Sequence, residues 1–246
     1  MILAASPDEA VLLEEHGRPP QALPADAPLF EGPGEGLERL AAPPAGPVVL
    51  VPRPLALARR QELAGLLALE HNVRKLPLEK PEDAQGLVAG LPAAQRAWLL
   101  EDIMALAKAL RALSGARVLL GSLYVTRADH CRKFHSDACG WRMLVTYAGP
   151  GTQWIADQEA GSREMPRRYE RTLDEHNAAV IRAGGVRQAE AFDVVLLRGD
   201  VLSGGRGAIH RSPPVQAAGL GRLVLKLDAE LDALIPRIAR SQAARA

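Results

Sequence analysis

The stretch RMLVTYAGPGTQW (residues 142–154) places two short runs of β-favouring residues on either side of Gly149-Pro150-Gly151. Glycine and proline supply the backbone angles of a tight turn, so the stretch predicts two strands joined by that turn. Other short runs rich in β-favouring residues follow Gly115: RVLLGSLYVTR (117–127), FDVVLLRGDVL (192–202), GAIHRS (207–212) and RLVLKLD (222–228). Because little helix separates these runs, we expect an antiparallel sandwich or small barrel.

Helical patterns precede most of the strands. Residues 55–70 and 93–113 carry leucines at helical spacing, and Gly115 follows the second segment as a stop signal. After Gly115 we expect one helical interruption, which begins at the capping pair Thr172 and Glu175 and ends at Gly184-Gly185. The predicted fold class is therefore α+β, mainly β, with N-terminal supporting helices.

The composition also predicts a domain organisation. Prolines and glycines are dense between Arg18 and Pro54, so residues 1–54 are expected to form a loosely ordered leader. Residues 55–246 are expected to form a single domain. Its predicted parts are a helical buttress (55–115), a β-barrel (116–230) and a C-terminal helix (229–243).

Bulk properties argue against several classes of partner. The 246 residues include 30 Lys and Arg against 29 Asp and Glu, so no basic field favours nucleic acid. No apolar run approaches the ~18 to 20 residues of a membrane span, and acids stand where a signal peptide has its basic segment. We expect a soluble cytoplasmic protein in which Cys131 and Cys139 are reduced thiols.

One set of residues suggests metal chemistry. His135 and Asp137 are two positions apart, so on an extended strand both side chains leave the same face. A divalent metal bound by two histidines and one carboxylate needs a second imidazole, for which His210 is the candidate. The alternatives are a surface pair of His135 with Asp137 and a histidine at 210 that only packs in the core.

Arg222 opens the last predicted strand, RLVLKLD. Alternation places Arg222 and Lys226 on one face and three leucines on the other. An inward arginine is costly unless an anion meets it, so we expect Arg222 to bind an anion. The alternative is a residue at the rim that pairs with Asp228 or Glu230.

The order of His-x-Asp, a distant histidine and then an arginine resembles that of iron(II)/2-oxoglutarate dioxygenases with the double-stranded β-helix fold. The resemblance implies a jelly-roll or cupin-like barrel in which His135, Asp137 and His210 bind iron(II). It implies that Arg222, or alternatively Arg142, binds the distal carboxylate of 2-oxoglutarate. It also implies oxidation of a small-molecule or protein substrate held under the segment 156–192; the sequence does not identify that substrate.

A second resemblance covers roughly residues 118–228. The stretches CRKFHSD (131–137), RMLVTYAGPGTQW, GRGAIHRSPP (205–214) and GRLVLKLD (221–228) are similar to the bacterial DUF1826 family, a domain of unknown function. Members are described beside metal-chaperone GTPases and zinc-responsive genes. The resemblance therefore implies a role in metal homeostasis and a functional link to such GTPases. The family pattern includes a cysteine four residues before the histidine, which matches Cys131.

Cys131 keeps a second hypothesis open. Thiolate and imidazole suit zinc, so Cys131 together with the three ligands above would close a tetrahedral site in a non-catalytic zinc-binding protein. This needs a bend at Arg132-Lys133; the other interpretation of Cys131 is a small buried hydrophobic residue. Three further residues are candidates to line a substrate cavity, with a structural role as the alternative for each: Tyr147, Thr152 and Trp154.

Overall fold

The structure is a computed structural model that describes residues 34, 36–40, 46–165 and 171–229. Most of the predicted leader and the predicted C-terminal helix over 229–243 lie outside these residues, apart from Ala229, which ends the last strand. No helix in the described ranges combines the length and the apolar character that crossing a bilayer requires.

The described residues form two antiparallel sheets, as the short alternating runs predict. The main sheet has six strands in the order β1-β7-β4-β9-β3-β2, and the small sheet has three in the order β6-β5-β8. The strands are β1 (Val48–Val51), β2 (Asn72–Leu78), β3 (Leu119–Thr126), β4 (Trp141–Ala148), β5 (Gln153–Ile155), β6 (Val186–Gln188), β7 (Val194–Arg198), β8 (His210–Arg211) and β9 (Arg222–Ala229). The α+β class with antiparallel sheets is confirmed.

Helices cover the outer faces of both sheets. They are α1 (Leu57–Gly65), α2 (Gln85–Val88), α3 (Ala93–Ser114), α4 (Gln158–Glu164), α5 (Leu173–Gly184) and α6 (Asp200–Ser203), with 3-10 turns at Leu37–Leu40, Leu66–Ala68 and Pro81–Ala84. The long helix α3 is confirmed: its leucine stripe is buried against the main sheet, and Gly115 ends it with φ of +67°. The capping box of Thr172 and Glu175 at the start of α5 is confirmed as well.

Several elements differ from the sequence-based expectation. Strand β1 lies within the stretch expected to be loosely ordered, because VVLV pairs with β7 along the edge of the main sheet. Strand β2 was not expected, because its alternation is interrupted by Pro77 and by a bulge between Val73 and Leu76. Helices α4 and α6 add to the one helix expected after Gly115; Asp157 caps α4 by accepting a hydrogen bond from the Ala160 amide at 2.9 Å.

The segment between β5 and β7 packs outside the small sheet. The side chains of Phe134, Ile155 and Ile209 form a buried cluster with Val180 and Ile181 of α5. Since successive side chains of a strand point to opposite faces, the neighbouring His135, Trp154 and His210 point to the inner face. Helices α4 and α5 of segment 156–192 therefore pack on the outer face, so the expectation that this segment covers a substrate does not apply to them. Ala189, near the end of the same segment, packs with Trp154 between the sheets.

The inner faces of the two sheets pack against each other. Leu144, Val195 and Leu197 of the main sheet contact Trp154 and Ala208 on the side of the small sheet, and all five are buried. Beside this apolar cluster, the inner face of the main sheet is polar, because Arg142 of β4 and Arg222, Lys226 and Asp228 of β9 point into the same space. The two sheets thus enclose an apolar region and a charged region.

Tyr147 belongs to the opposite face of the main sheet, which packs on α3. Its hydroxyl donates a hydrogen bond to Asp102 Oδ2 at 2.8 Å, and the other oxygen of Asp102 pairs with the buried Arg53. Burial, together with the charge of Asp102, raises the pKa of Tyr147 well above its usual value, so the hydroxyl keeps its proton. The prediction that Tyr147 lines the substrate cavity is corrected: this residue supports the core.

Replacing Tyr147 by phenylalanine removes one hydrogen-bond donor from the buried Asp102. We expect Tyr147→Phe to lower the free energy of unfolding by about 1–3 kcal/mol, measured by urea denaturation. Tyr124→Phe is the matched control, because Tyr124 is only half-buried on β3, and it should change stability much less. Loss of metal affinity in Tyr147→Phe without loss of stability would contradict this placement.

Candidate metal centre

His135 and His210 meet through their main chains. The two residues form an isolated antiparallel bridge in which the His135 amide donates to the His210 carbonyl at 3.0 Å and the His210 amide donates back at 2.9 Å. Residues directly opposite each other in an antiparallel pair point to the same face. The two imidazole rings accordingly lie side by side on the inner face, with centroids 4.7 Å apart.

Both rings are oriented by carbonyl groups two residues earlier in the chain. Nδ1 of His135 lies 2.7 Å from the Lys133 carbonyl oxygen, and Nδ1 of His210 lies 2.9 Å from the Ala208 carbonyl oxygen. A carbonyl oxygen only accepts hydrogen bonds, so each Nδ1 carries the proton. Nε2 of each ring is therefore the atom turned toward Asp137, and it is the nitrogen left free for a metal when the ring is neutral, as in metal-binding histidines.

Asp137 completes the cluster. Its Oδ1 is 3.5 Å from Nε2 of His135, and its Oδ2 is 3.0 Å from Nε2 of His210. One ligand atom from each of the three residues can be chosen so that all lie within 4.8 Å of one another. The structure thus brings together the three residues that the sequence pattern nominated, and the set resembles a 2-His-1-carboxylate iron site.

The cluster fits a bound cation for an electrostatic reason. Nε2 of both imidazoles and the Asp137 carboxylate point toward one another, an arrangement that needs positive charge between them, either protons on the imidazoles or a metal ion. Oδ2 of Asp137 is buried and makes no hydrogen bond of good geometry within the described structure, although charged groups are close to it. A divalent metal would satisfy all three groups at once, so the residues fit such an ion.

The charges around the cluster act on its titrating groups. Burial favours the neutral acid at Asp137, but the polar contacts with His135 and His210 and the positive charge of Arg142 outweigh it and hold its pKa below the usual range. Burial lowers the pKa of His135, but the hydrogen bonds to Asp137 and Lys133 outweigh this, and the net shift is upward. The carboxylate is therefore ionised and available as a ligand.

Arg142 is engaged with two acids. Its guanidinium contacts Oδ2 of Asp137 through Nη1, and its Nε is 2.6 Å from Oδ1 of Asp228. Burial lowers the pKa of Arg142, but the charges of Asp228 and Asp137 outweigh it and raise the value. Arg142 is therefore not available to bind the co-substrate carboxylate, and that alternative prediction is wrong. Its guanidinium already forms ion pairs with two carboxylates of the protein, Asp137 and Asp228.

Arg222 differs from Arg142 in having no acidic partner among the described residues. It is 3% exposed; Nε donates to the Pro150 carbonyl at 2.7 Å and Nη2 donates to the Thr146 hydroxyl at 3.0 Å. Burial lowers the pKa of Arg222 to about 10, with partial compensation from Tyr124 and Cys131. Arg222 therefore stays cationic near neutral pH, and the rim pairing with Asp228 is absent because Asp228 binds Arg142 and Lys226.

The predicted cavity residues and the two cysteines lie in different parts of the structure. Trp154 is buried between the sheets and lies directly opposite His210 on the neighbouring strand, and Thr152 is buried two residues before it. Cys131 is exposed and does not join the group of possible metal ligands; its carbonyl accepts a hydrogen bond from the Ser212 amide at 3.3 Å. Cys139 is buried.

Two amide side chains that were not nominated hold the backbone just before each histidine. Asn177 of α5 accepts from the Phe134 amide at 3.1 Å and donates to the Arg132 carbonyl at 3.0 Å. Gln158 of α4 accepts from the Ile209 amide at 2.8 Å and donates to the Ile155 carbonyl at 2.6 Å. No local pattern marks these residues, because the contact of each with the residue before a histidine joins segments distant in the sequence.

The loop that carries Asp137 is held in a similar way. The Asp200 amide donates to the Asp137 carbonyl at 2.8 Å, and the Ser136 hydroxyl donates to Asp200 Oδ2 at 2.9 Å. Oδ1 of Asp200 accepts from the Gly207 amide at 2.8 Å, which joins this loop to the segment leading into β8. Asp200 thus links the backbones that carry Asp137 and His210.

Comparisons with known proteins give one family and distant structural likenesses. A family model described as a protein of unknown function (DUF1826) matches residues 37–228. No curated protein matches the chain. A prolyl-4-hydroxylase from Pseudomonas putida is similar in structure, at 15% identity and a TM-score of 0.40, over 83% of this chain and 98% of that chain.

A C-terminally truncated protein from Neurospora crassa, in its apo form, is also similar in structure. The identity is 13% and the TM-score 0.27, over 61% of this chain and 49% of that chain. Because both TM-scores are low, we infer the function from the residues of the site.

The side chains of Asn177 and Gln158, called the amide clamps below, generate a prediction about metal affinity. Asn177→Ala and Gln158→Ala each leave a buried amide of Phe134 or Ile209 without its acceptor, so the adjacent histidine loses its fixed position. We expect each variant to bind Co(II) roughly 10–100-fold more weakly than the wild type. The affinity is measured by calorimetric titration at a temperature well below the thermal unfolding midpoint of the variant. Gln188→Ala is the control, because this exposed amide of β6 contacts Gln153 and neither histidine. Wild-type affinity in both clamp variants would contradict the role.

Proposed function

The chain belongs to the DUF1826 family, whose description gives no activity, and we propose from the site itself that it is an iron(II)-dependent oxygenase that uses 2-oxoglutarate. The observation that carries the proposal is the convergence of His135, Asp137 and His210 on one point of the inner face. Two histidines and one carboxylate with open positions form the ligand set of non-haem iron(II) oxygenases.

The three ligands leave room for other molecules. An octahedral metal held by three protein atoms keeps three positions open, enough for a chelating oxo-acid and oxygen. Bound iron(II) would supply the redox chemistry, which zinc does not support. The chain's own residues fix the ligand geometry through the backbone bridge, the two carbonyl groups on Nδ1 and the two amide clamps.

The charge of the inner face favours an anionic co-substrate. Three cations, Arg142, Lys226 and Arg222, face two carboxylates, Asp137 and Asp228, and a divalent metal adds two further positive charges. Uncompensated positive charge in a buried space attracts anions strongly. A dicarboxylate such as 2-oxoglutarate would offset most of this excess, with one end at the metal.

Arg222 is the proposed partner of the distal carboxylate. It is a buried cation that donates hydrogen bonds to an uncharged carbonyl and a hydroxyl and has no acidic partner among the described residues, so a bound carboxylate would supply one. The planar guanidinium suits paired hydrogen bonds to a carboxylate. Thr146, already bonded to Arg222, points to the same face and is positioned to share this role.

The proposed function also implies a more specific fold and the position of a substrate cavity. The two facing sheets are proposed to be the two halves of a double-stranded β-helix, with the metal between them. Trp154 and Thr152, beside His210, are proposed to line the cavity for a small-molecule or protein substrate that nothing in the structure identifies. A link to metal-chaperone GTPases and a cytoplasmic location remain predictions.

A closed zinc site is the weaker alternative. Zinc–thiolate bonds are about 2.3 Å long, so a fourth ligand from Cys131 would have to reach the same point as the three other groups. The Cys131 thiol is exposed and lies outside the group. The metal-homeostasis role therefore depends on the three-ligand site, with zinc as the alternative ion.

Anaerobic optical titration tests the oxygenase proposal. Addition of iron(II) and 2-oxoglutarate to the wild type is expected to produce the weak visible charge-transfer band of an iron(II)–oxo-acid chelate. Asp137→Ala should abolish the band because the metal is lost. Arg222→Met should weaken 2-oxoglutarate binding by about 10-fold or more while it leaves iron affinity unchanged, because a charge-assisted hydrogen-bonded pair contributes ~1.5–3 kcal/mol.

Two further variants accompany the titration: one controls for the loss of an arginine, and the other distinguishes the open iron site from a closed zinc site. Arg96→Met removes an exposed arginine from α3, on the opposite side of the main sheet from the metal cluster, and should leave the band unchanged. Cys131→Ser should also leave it unchanged, whereas a closed zinc site would lose tightly bound zinc in this variant. Stoichiometric iron(II) binding without any band on addition of 2-oxoglutarate would contradict the proposed co-substrate.

A further inference from the structure

A chain of alternating charges connects the candidate metal site to the main sheet. Arg142 on β4 and Asp228 on β9 are directly opposite each other, with Nε 2.6 Å from Oδ1. The same guanidinium contacts Oδ2 of Asp137, and Nζ of Lys226 lies 2.9 Å from Oδ2 of Asp228. Asp137 is thereby anchored, through Arg142, to a carboxylate that does not itself belong to the metal cluster.

Asp137 needs an anchor because it lies in a loop. The residue follows the isolated bridge at His135 and precedes β4, so no strand pairing fixes its side chain. The Asp200 amide holds its backbone carbonyl, but the carboxylate is oriented by Arg142 and the two imidazoles. Asp228, in contrast, lies on the central strand β9 and is 4% exposed.

We propose that Asp228 is a positioning residue for metal binding, which acts by holding the Arg142 guanidinium so that only one of its ends meets Asp137. An arginine offers a planar fork that can occupy both oxygens of a carboxylate. Because Asp228 occupies the Nε side of Arg142, the contact with Asp137 is made through Nη1 to Oδ2, and Oδ1 remains available beside Nε2 of His135.

Removal of the Asp228 charge has a definite consequence in this arrangement. The guanidinium, released from β9, keeps its attraction to Asp137 and can turn to bind both of its oxygens. Arginine and metal then compete for the same carboxylate, and the metal loses affinity although none of its ligands has changed. The proposal rests on the metal site of the proposed function, but it requires neither 2-oxoglutarate nor catalysis.

The test compares Co(II) binding in Asp228→Asn and wild type. We expect the affinity to fall about 10–100-fold, as for residues that orient metal ligands in other proteins, and the visible absorption of bound Co(II) to change with the ligand geometry. Asp193→Asn is the matched control, because Asp193 is an equally buried acid (5% exposed) that accepts hydrogen bonds from the amides of Arg53 and Glu190. This control should lose stability but keep its Co(II) affinity and spectrum.

Arg142→Lys provides a second variant if Asp228→Asn does not fold. Lysine keeps the charge but lacks the fork that bridges two carboxylates, so Co(II) affinity should fall here too. In the double variant Asp228→Asn/Arg142→Lys the losses should not add, because both act through one contact. Wild-type affinity and spectrum in Asp228→Asn, or in Arg142→Lys where only that variant folds, would overturn the proposal.

The outcomes also distinguish this proposal from the function on which it rests. If the wild type binds no Co(II), Fe(II) or Zn(II), the metal site and the positioning role are overturned together. If Asp228→Asn weakens Co(II) binding but the wild type gives no band with iron(II) and 2-oxoglutarate, the positioning role stands and the oxygenase assignment is overturned. If the band appears and Asp228→Asn binds Co(II) normally, only the positioning role is overturned.

Discussion

The pair of main-chain hydrogen bonds between His135 and His210 is the contact on which the site depends. These bonds make two distant residues neighbours on one face of the small sheet, at 3.0 and 2.9 Å. A register shift by one residue would turn one histidine outward and Phe134 or Ile209 inward. The outer cluster with Val180 and Ile181 opposes that shift, because it would lose a large apolar side chain. The chemistry of the inner face and the packing of the outer face therefore select the same register.

The helices α4 and α5 secure this register through their amide side chains. Asn177 and Gln158 each satisfy the buried amide of the residue before a histidine. A buried backbone group without a partner costs on the order of 1–3 kcal/mol, so the clamps penalise displacement of either histidine. These two helices lie in the segment expected to cover a substrate, but they support the ligands from the outer face. The loop with Asp137 is held from the other side, by Arg142 and Asp200.

Parts of the fold and of the candidate site could be predicted from the sequence where the signals are local, and the order of the motif added His210 and Arg222. The spacing of His135 and Asp137, the glycine stop after α3 and the capping box at Thr172 depend only on neighbouring residues. Tyr147 was misplaced because its role depends on Asp102 and Arg53, which approach it from α3 and from the segment after β1. The sequence suggests Arg142 as an alternative partner of the co-substrate. That prediction fails because the pairing of Arg142 with Asp228 can be recognised only once the strand order is known. Cys131 matched a family pattern, but the residue has φ of +53° and its thiol is exposed.

In the proposed function, three side chains hold one metal ion. Anomalous X-ray scattering at the iron absorption edge, on crystals grown anaerobically with iron(II), would locate that ion. We expect one strong peak about 2 Å from Nε2 of His135, Nε2 of His210 and an oxygen of Asp137. A peak bound by only one of these histidines, a peak elsewhere in the protein, or no peak at saturating iron(II) would contradict it.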